Sequence, residues 1–210
     1  MGYQTKDYQT NKQIRKESIM SNDQYKPRNF RITSHTTRNR ILHIEDALAI
    51  RQIRFDLWAF ARGKGSEGQA EAYVDADEAR LLFTDLATGT LSERFQSIGG
   101  SQRDGQALAR VITVEEVKAN NPIKITIQNG EGIPQDNGLI TPAWWGDKEA
   151  KPDVDLAVLL DRRTARKIAL AVLAHLSAWA AATYYQRVTE NTWQPPREVV
   201  VDPETGEILE

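Results

Sequence analysis

The sequence predicts an α+β fold with mainly antiparallel, twisted sheet structure, one short helix and one long C-terminal helix. Residues 50–62 and 123–128 alternate between apolar and polar side chains, which is typical of strands with one buried face. Two other stretches, residues 79–86 and 164–188, carry apolar residues at helical spacing. Each helix follows a run of predicted strands, which favours two similar blocks over an alternating α/β order.

The charge distribution divides the chain into three parts. Residues 1–38 are rich in Gln, Asn, Lys and Thr without an apolar period, so we expect a disordered, basic N-terminal arm. Residues 39–188 form one predicted α+β domain, and residues 189–210 an acidic tail or hairpin. Residues 1–40 have nine Lys and Arg against three acids, whereas residues 189–210 have one against six. A basic arm with an acidic tail occurs in nucleic-acid binders, but two solvated tails explain it equally well.

The first block is predicted to contain few strands. Residues 40–48 form a strand or an irregular lead-in, residues 50–62 a strand, and residues 69–74 its hairpin partner across a glycine-rich turn. The acids of residues 75–78 then suit a helix N-terminus, and Gly89 suits the end of that helix.

The second block is predicted to begin with strands over residues 91–98, 107–117 and 123–127. Residues 129–152 read as a long loop that contains Trp144 and Trp145. The apolar stretch Val154–Leu160 suits a central strand, and a helix is expected from Asp161 or Thr164 to about Val188.

The sequence lacks the residues that several functional classes require. The chain has no cysteine, which excludes disulfides and thiol catalysis and fits a cytoplasmic location. Its three histidines are not spaced for a metal site, and Gly63-Lys64-Gly65-Ser66 lacks the spacing of a Walker loop. No apolar run approaches the roughly 20 residues that cross a bilayer. We therefore expect no enzyme, no cofactor, no metal and no membrane partner.

One strand combines aromatic and basic side chains on the same face. Single-stranded nucleic acid is held by base stacking on aromatic rings and by cations that follow its backbone. The strand of residues 50–62 and its neighbours predict such a nucleic-acid-binding face, made of Arg54, Trp58, Phe60, Arg62 and Lys64 with support from Arg94, Arg103 and Lys124.

Another interpretation of the same aromatic residues is burial. Trp58 and Phe60 could equally form the floor beneath the long helix or beneath a partner subunit, and Asp56 on the same face would repel phosphate. Trp144-Trp145 indicates a contact with nucleic acid, another subunit or the domain's own surface. The four cations that begin the long helix, between Arg162 and Lys167, indicate either an anionic partner or a solvated patch.

Over residues 41–188, the order of elements resembles the Whirly and PC4-like single-stranded DNA-binding proteins. The resemblance also rests on the strand Ile53–Arg62 and on the ARGKG turn, Ala61–Gly65. It implies curved antiparallel sheets, each followed by a helix, and assembly through the helices. The first block here is expected to have three strands or fewer, against four in that family. The acidic tail also resembles the tails by which bacterial single-strand binders recruit protein partners.

These observations lead to two hypotheses. The first is a non-enzymatic protein, forming a homo-oligomer, that binds single-stranded DNA or RNA through the aromatic and basic face. The second is a structural or adaptor subunit of a larger assembly, related to a phage or a mobile element, that does not bind nucleic acid. The exposure of Trp58 and Phe60 discriminates between them.

Overall fold

The strands between Arg31 and Leu160 form two antiparallel sheets. The computed structural model describes residues 30–61, 63–103, 105–146, 149–190, 200–201 and 208–209. The first sheet has the order β1-β2-β3-β4, with strands Arg31–Thr36, Arg40–Ala47, Gln52–Ala61 and Gly65–Asp75. The second sheet has the order β5-β6-β7-β9, with β8 paired to the far end of β7; these strands are Phe95–Arg103, Gln106–Glu116, Ile123–Pro134, Ile140–Pro142 (β8) and Val154–Leu160 (β9).

A helix follows each sheet, which confirms the predicted α+β class. Helix α1 spans Ala76–Thr88 and helix α2 spans Arg162–Glu190. The carboxylate of Asp75 caps α1 by accepting a hydrogen bond from the Asp77 backbone N–H at 2.8 Å. Gly89 ends the helix with a φ of 77°, a conformation that glycine adopts without strain.

Both sheets and both helices share one hydrophobic core. The ring of Phe55 on β3 stacks on Phe83 of α1 with 5.8 Å between the centroids. Helix α2 adds a buried stripe at helical spacing, namely Ala165, Ile168, Ala169, Val172 and Leu176. Ile53 and Leu57 lie on the same side of β3 as Phe55 and are fully buried. The helices therefore cover this face of the first sheet.

Asn129 joins the two sheets. It lies on β7, is 8% exposed, and its side chain bonds to the backbone of Glu71 on β4. Its Oδ1 accepts from the Glu71 N–H at 2.9 Å, and its Nδ2 donates to the Glu71 carbonyl at 2.8 Å. One amide side chain thus satisfies both backbone groups of a residue at the edge of the other sheet.

The first sheet has four strands, so the expectation of three or fewer was wrong. Strand β1 lies within residues 1–38, which had been assigned to the N-terminal arm, because its ladder with β2 orders Arg31–Thr36. The remainder of that arm, residues 1–29, lies outside the described residues.

The second sheet also differs from its prediction. Residues 129–152 are not one loop, because β7 continues to Pro134 and pairs there with β8. Strand β9 is not central, since it pairs with β7 alone and forms an edge. Strand β5 begins at Phe95, not Leu91, and runs through Gly99 and Gly100 beyond the predicted end of the strand at Ile98.

At the C-terminus, Val200–Val201 pairs antiparallel with Ile208–Leu209, as the hairpin signature predicts. Helix α2 corrects the expectation that no apolar stretch of the chain approaches the length that crosses a bilayer. By length and hydropathy alone, its stretch Arg162–Tyr184 would suffice to cross a membrane. A core helix meets the same criterion, and α2 packs one side into the core, so this finding by itself assigns no membrane to the chain.

Replacement of Asn129 by alanine tests the link between the sheets. We expect N129A to lower the free energy of unfolding by about 2 kcal/mol, because the N–H and C=O of Glu71 lose their buried partner. Urea denaturation measures the change. The control is Q128A on the opposite face of β7, whose side chain donates to Asp155 at the surface and whose loss should cost less than about 0.5 kcal/mol. Equal costs for the two variants would contradict this role of Asn129.

Candidate nucleic-acid interface

The face of the first sheet opposite the helices carries the predicted site. Because side chains alternate along a strand, Arg54, Asp56, Trp58 and Phe60 point away from the side that holds Phe55. We call this surface the outer face; its members on the neighbouring strands are His43 and Glu45 of β2 and Gln69, Glu71 and Tyr73 of β4. Within the described residues, neither helix lies over it. Burial of Trp58 and Phe60 beneath α2 is therefore excluded.

Trp58 is half-buried and held in one orientation. Its indole Nε1 donates to Asp56 Oδ2 at 2.8 Å, and Gln69 Nε2 donates to the other oxygen, Oδ1, at 2.7 Å. Asp56 is itself only 4% exposed. Its carboxylate orients the ring of Trp58 from beneath the surface of the outer face. The guanidinium of Arg54, 3.7 Å from Asp56 Oδ2, offsets part of its negative charge.

Arg54 is surrounded by carboxylates. Its guanidinium lies 2.6 Å from Glu45, 2.7 Å from Glu71 and 3.7 Å from Asp56, and its side chain is 14% exposed. Burial alone would lower the pKa of Arg54, but the hydrogen bond to Glu71 and the charges of Asp56 and Glu71 outweigh it and raise that pKa. Arg54 therefore balances charge within the sheet and presents little surface to solvent.

Arg110 extends this network from the second sheet. Its Nη2 lies 3.1 Å from Glu71 Oε1, and its guanidinium stands over the ring of Tyr73, 5.8 Å from the centroid. Glu71 and Tyr73 are not among the site residues predicted from the sequence. The alternation of Gln69, Glu71 and Tyr73 with the buried alanines of β4 was the signal that placed them on the outer face.

Exposed cations lie at one end of the outer face. Lys64 is exposed in the turn between β3 and β4, and Arg38 is exposed in the turn between β1 and β2. The Phe60 N–H donates to the Asn39 carbonyl at 3.1 Å, which places these two turns beside the aromatic end of β3. Arg62 lies outside the described residues. Arg38 was missed because the sequence alone did not show that β1 and β2 form a hairpin.

The three supporting cations of the prediction belong to the second sheet. Arg94 precedes β5 and donates to Thr113 Oγ1 at 3.3 Å, while Lys124 on β7 pairs with Glu115 at 3.5 Å. Arg103 is the last residue of β5. The structure does not bring Arg94 or Lys124 together with Trp58 and Phe60 on one face.

The tryptophan pair divides between two environments. Trp144 is 9% exposed and packs on Ala109 and Val111 of β6, so it contacts the domain's own surface. Trp145 is 50% exposed. At the start of α2, Arg162 forms an ion pair with Glu116, so this cation has an acidic partner within the chain.

His43 lies on the outer face beside Asp56, its partner across the β2–β3 ladder. Burial, together with the positive charges of Arg31 and Arg54, lowers the pKa of His43, although Asp56 and Glu45 oppose this shift. The imidazole is thus held neutral in the folded protein to a lower pH than in an unfolded chain.

This shift predicts a pH dependence of stability. A depressed folded pKa means that the unfolded chain binds the proton more readily, so the contribution of His43 is present above the unfolded pKa of about 6.5 and is lost as the pH falls through the folded pKa. We expect the wild type to lose more stability than H43Q between pH 7.5 and 5, as measured by urea denaturation. Parallel losses in the two proteins would contradict the assignment.

Comparisons with known proteins find similarity in structure only. No family model and no curated protein matches the sequence. The structure is similar to that of the plant transcriptional regulator PBF-2, with 9% identity, a TM-score of 0.45, and coverage of 78% of this chain and 96% of that one. It is also similar to WHY1 from Arabidopsis thaliana, with 9% identity, a TM-score of 0.47, and coverage of 81% and 100%. The resemblance to Whirly proteins noted in the sequence is thus found among solved structures as well. At this identity the likeness concerns the fold alone.

Proposed function

We propose that the protein binds single-stranded nucleic acid, DNA in the first instance, across the aromatic end of the outer face. The observation that carries the proposal is that Trp58 and Phe60 lie side by side on a sheet face that no described helix covers. Bases stack on these two rings, and the phosphates meet the cations of the adjacent turns, Arg38 and Lys64; Arg62, also predicted from the sequence to contact the strand, lies outside the described residues. The protein acts by binding and not by catalysis.

The held orientation of Trp58 supports this function. Stacking of one base on an aromatic ring contributes about 1–3 kcal/mol. Part of that energy is lost when the ring must first be ordered. The hydrogen bond from the Trp58 indole to Asp56 keeps the ring in place before a ligand arrives, so binding does not bear that cost.

The charges of the outer face suggest how phosphates are bound. The positive charge of Arg54 is already balanced by Glu45, Glu71 and Asp56. The cations of the turns therefore contribute more to affinity than Arg54, which supports the carboxylate that orients Trp58. Arg94, Arg103 and Lys124 act at longer range from the second sheet.

We also propose that α2 joins two copies of the chain. The sequence has no Lys, Arg, Asp or Glu between Lys167 and Arg187. The side of α2 opposite its buried stripe is exposed and carries small and apolar residues at alternating spacings of four and three, namely Leu170, Ala174, Ser177, Ala181, Tyr184 and Val188. This spacing is that of helices packed against each other, and small residues allow a close approach. The same face would serve an adaptor subunit, so DNA binding distinguishes the two functions.

Binding of oligo-dT at low salt tests the function. We expect F60L to weaken binding at least fivefold through the loss of one stacking ring, while its tryptophan fluorescence remains available as the readout. The control W145L removes an exposed aromatic of the second sheet and should leave the affinity unchanged. Affinity should also fall steeply with salt, because bound phosphates release counterions. Absence of both a fluorescence change and a gel shift at micromolar protein would overturn the function.

The oligomeric state tests the role of α2. We expect A181E to dissociate the wild-type assembly into monomers in size-exclusion chromatography with light scattering, because the substitution buries a charge at the contact. The matched control is A182E, since the next residue points about 100° away around the helix. A monomeric wild type, or an A181E assembly of unchanged mass, would contradict this contact.

A further inference from the structure

A cleft separates the edges of the two sheets. Strand β4 is the last strand of the first sheet and β5 is the first strand of the second. Between them lies a cleft of about 250 Å³ whose chemistry is provided by Tyr73, Asp75, Glu78, Ser97, Gly99 and Arg110. We propose that this cleft binds a guanine base. Where the base belongs to a bound strand, this proposal rests on the proposed function. It then adds a preference for guanine to the binding of single-stranded nucleic acid.

Arg110 provides the donor. Its Nη1 donates to Ser101 Oγ at 2.9 Å and its Nη2 pairs with Glu71. Its Nε is buried and has no hydrogen-bond partner among the described residues. Burial keeps this Nε out of reach of a ligand, but each Nη carries a second N–H beyond the contacts with Ser101 and Glu71, and Arg110 lines the cleft.

Two carboxylates provide the acceptors. Glu78 Oε2 accepts from Ser97 Oγ at 3.2 Å, so this side chain links α1 to β5 beside the cleft. Asp75 Oδ1 accepts from the Asp77 N–H. Each carboxylate has a second oxygen, and both side chains are exposed to solvent. A ligand in the cleft must therefore offer donors to one side and an acceptor to the other.

The charge and shape of the cleft select among ligands. Asp75 and Glu78 disfavour a phosphate in the cleft itself, so the base enters and its phosphate stays outside. Guanine has the acceptors O6 and N7 for Arg110, and its N1–H and exocyclic amino group donate to a carboxylate. Thymine offers one N–H donor and no amino group, so it makes the poorer match.

Gly99 allows the cleft to be filled without disturbing the fold. It pairs with Arg110 across the β5–β6 ladder, and a Cβ built at Gly99 would meet no atom within 4 Å. A Cβ therefore fits at this position, and the two methyl groups of a valine extend from it into the space that we assign to the base. Q96V places the same side chain on the opposite face of β5 and is the matched control.

The experiment compares two oligonucleotides that differ in one base. Fluorescence anisotropy measures the binding of dT oligomers with and without one central dG. We expect the dG oligomer to bind the wild type and Q96V on the order of tenfold more tightly. We expect G99V to lose this preference and to keep the affinity for oligo-dT, with an unchanged melting temperature as the check on folding.

The base in the cleft could belong to a bound strand or to a free nucleotide. Calorimetry with guanosine monophosphate distinguishes these two cases. Heat of binding with the wild type and not with G99V, in the absence of binding to either oligomer, would support a cleft for the free nucleotide and would overturn the proposed strand binding. Equal affinities for the two oligomers with no heat from the nucleotide would overturn the cleft and leave strand binding standing. A preference for the dG oligomer that persists in G99V would also overturn the assignment of the base to the cleft.

Discussion

The alternation of side chains along β3 determines which residues of the first sheet face the core and which face outward. Phe55 and its neighbours on one face are buried beneath both helices, and the stack of Phe55 on Phe83 ties that face to α1. The residues between them must then point to the other side. A shift of one residue would put Arg54 and Asp56 into the core and expose Phe55, so the register is strongly specified. The uncovered position of Trp58 and Phe60 follows from this constraint.

The outer face contains buried carboxylates that need partners. Glu45 and Asp56 are buried side chains, and unpaired buried charge is costly. Arg54 lies between them and Glu71, and the indole of Trp58 completes the partners of Asp56. The network holds the ring of Trp58 on a surface whose internal charge is balanced. In the proposed function, the exposed cations of the adjacent turns therefore provide the attraction for an anionic strand.

Sequence patterns predicted those elements that have a strong local signal. The period of two predicted β3, and the acids before α1 with Gly89 after it predicted that helix. The second half of β7 was read as a loop because Gly130 and Gly132 are turn residues in most contexts. Here they lie in a strand because Trp144 and Ile140 pack against them, and a Cβ at Gly130 would lie 2.9 Å from the Trp144 ring. The partners of Arg54 could not be predicted, since Glu71 meets it only through the β3–β4 register.

The environment of the Trp58 indole offers the most direct test of the account. Two-dimensional NMR resolves the indole N–H signals of a tryptophan-containing protein, and W58F identifies the signal of this residue. On titration with oligo-dT, we expect the Trp58 signal to shift in a saturable manner while the Trp145 signal stays in place. A Trp58 signal that remains unchanged at saturating oligonucleotide would contradict the claim that the outer face binds the strand.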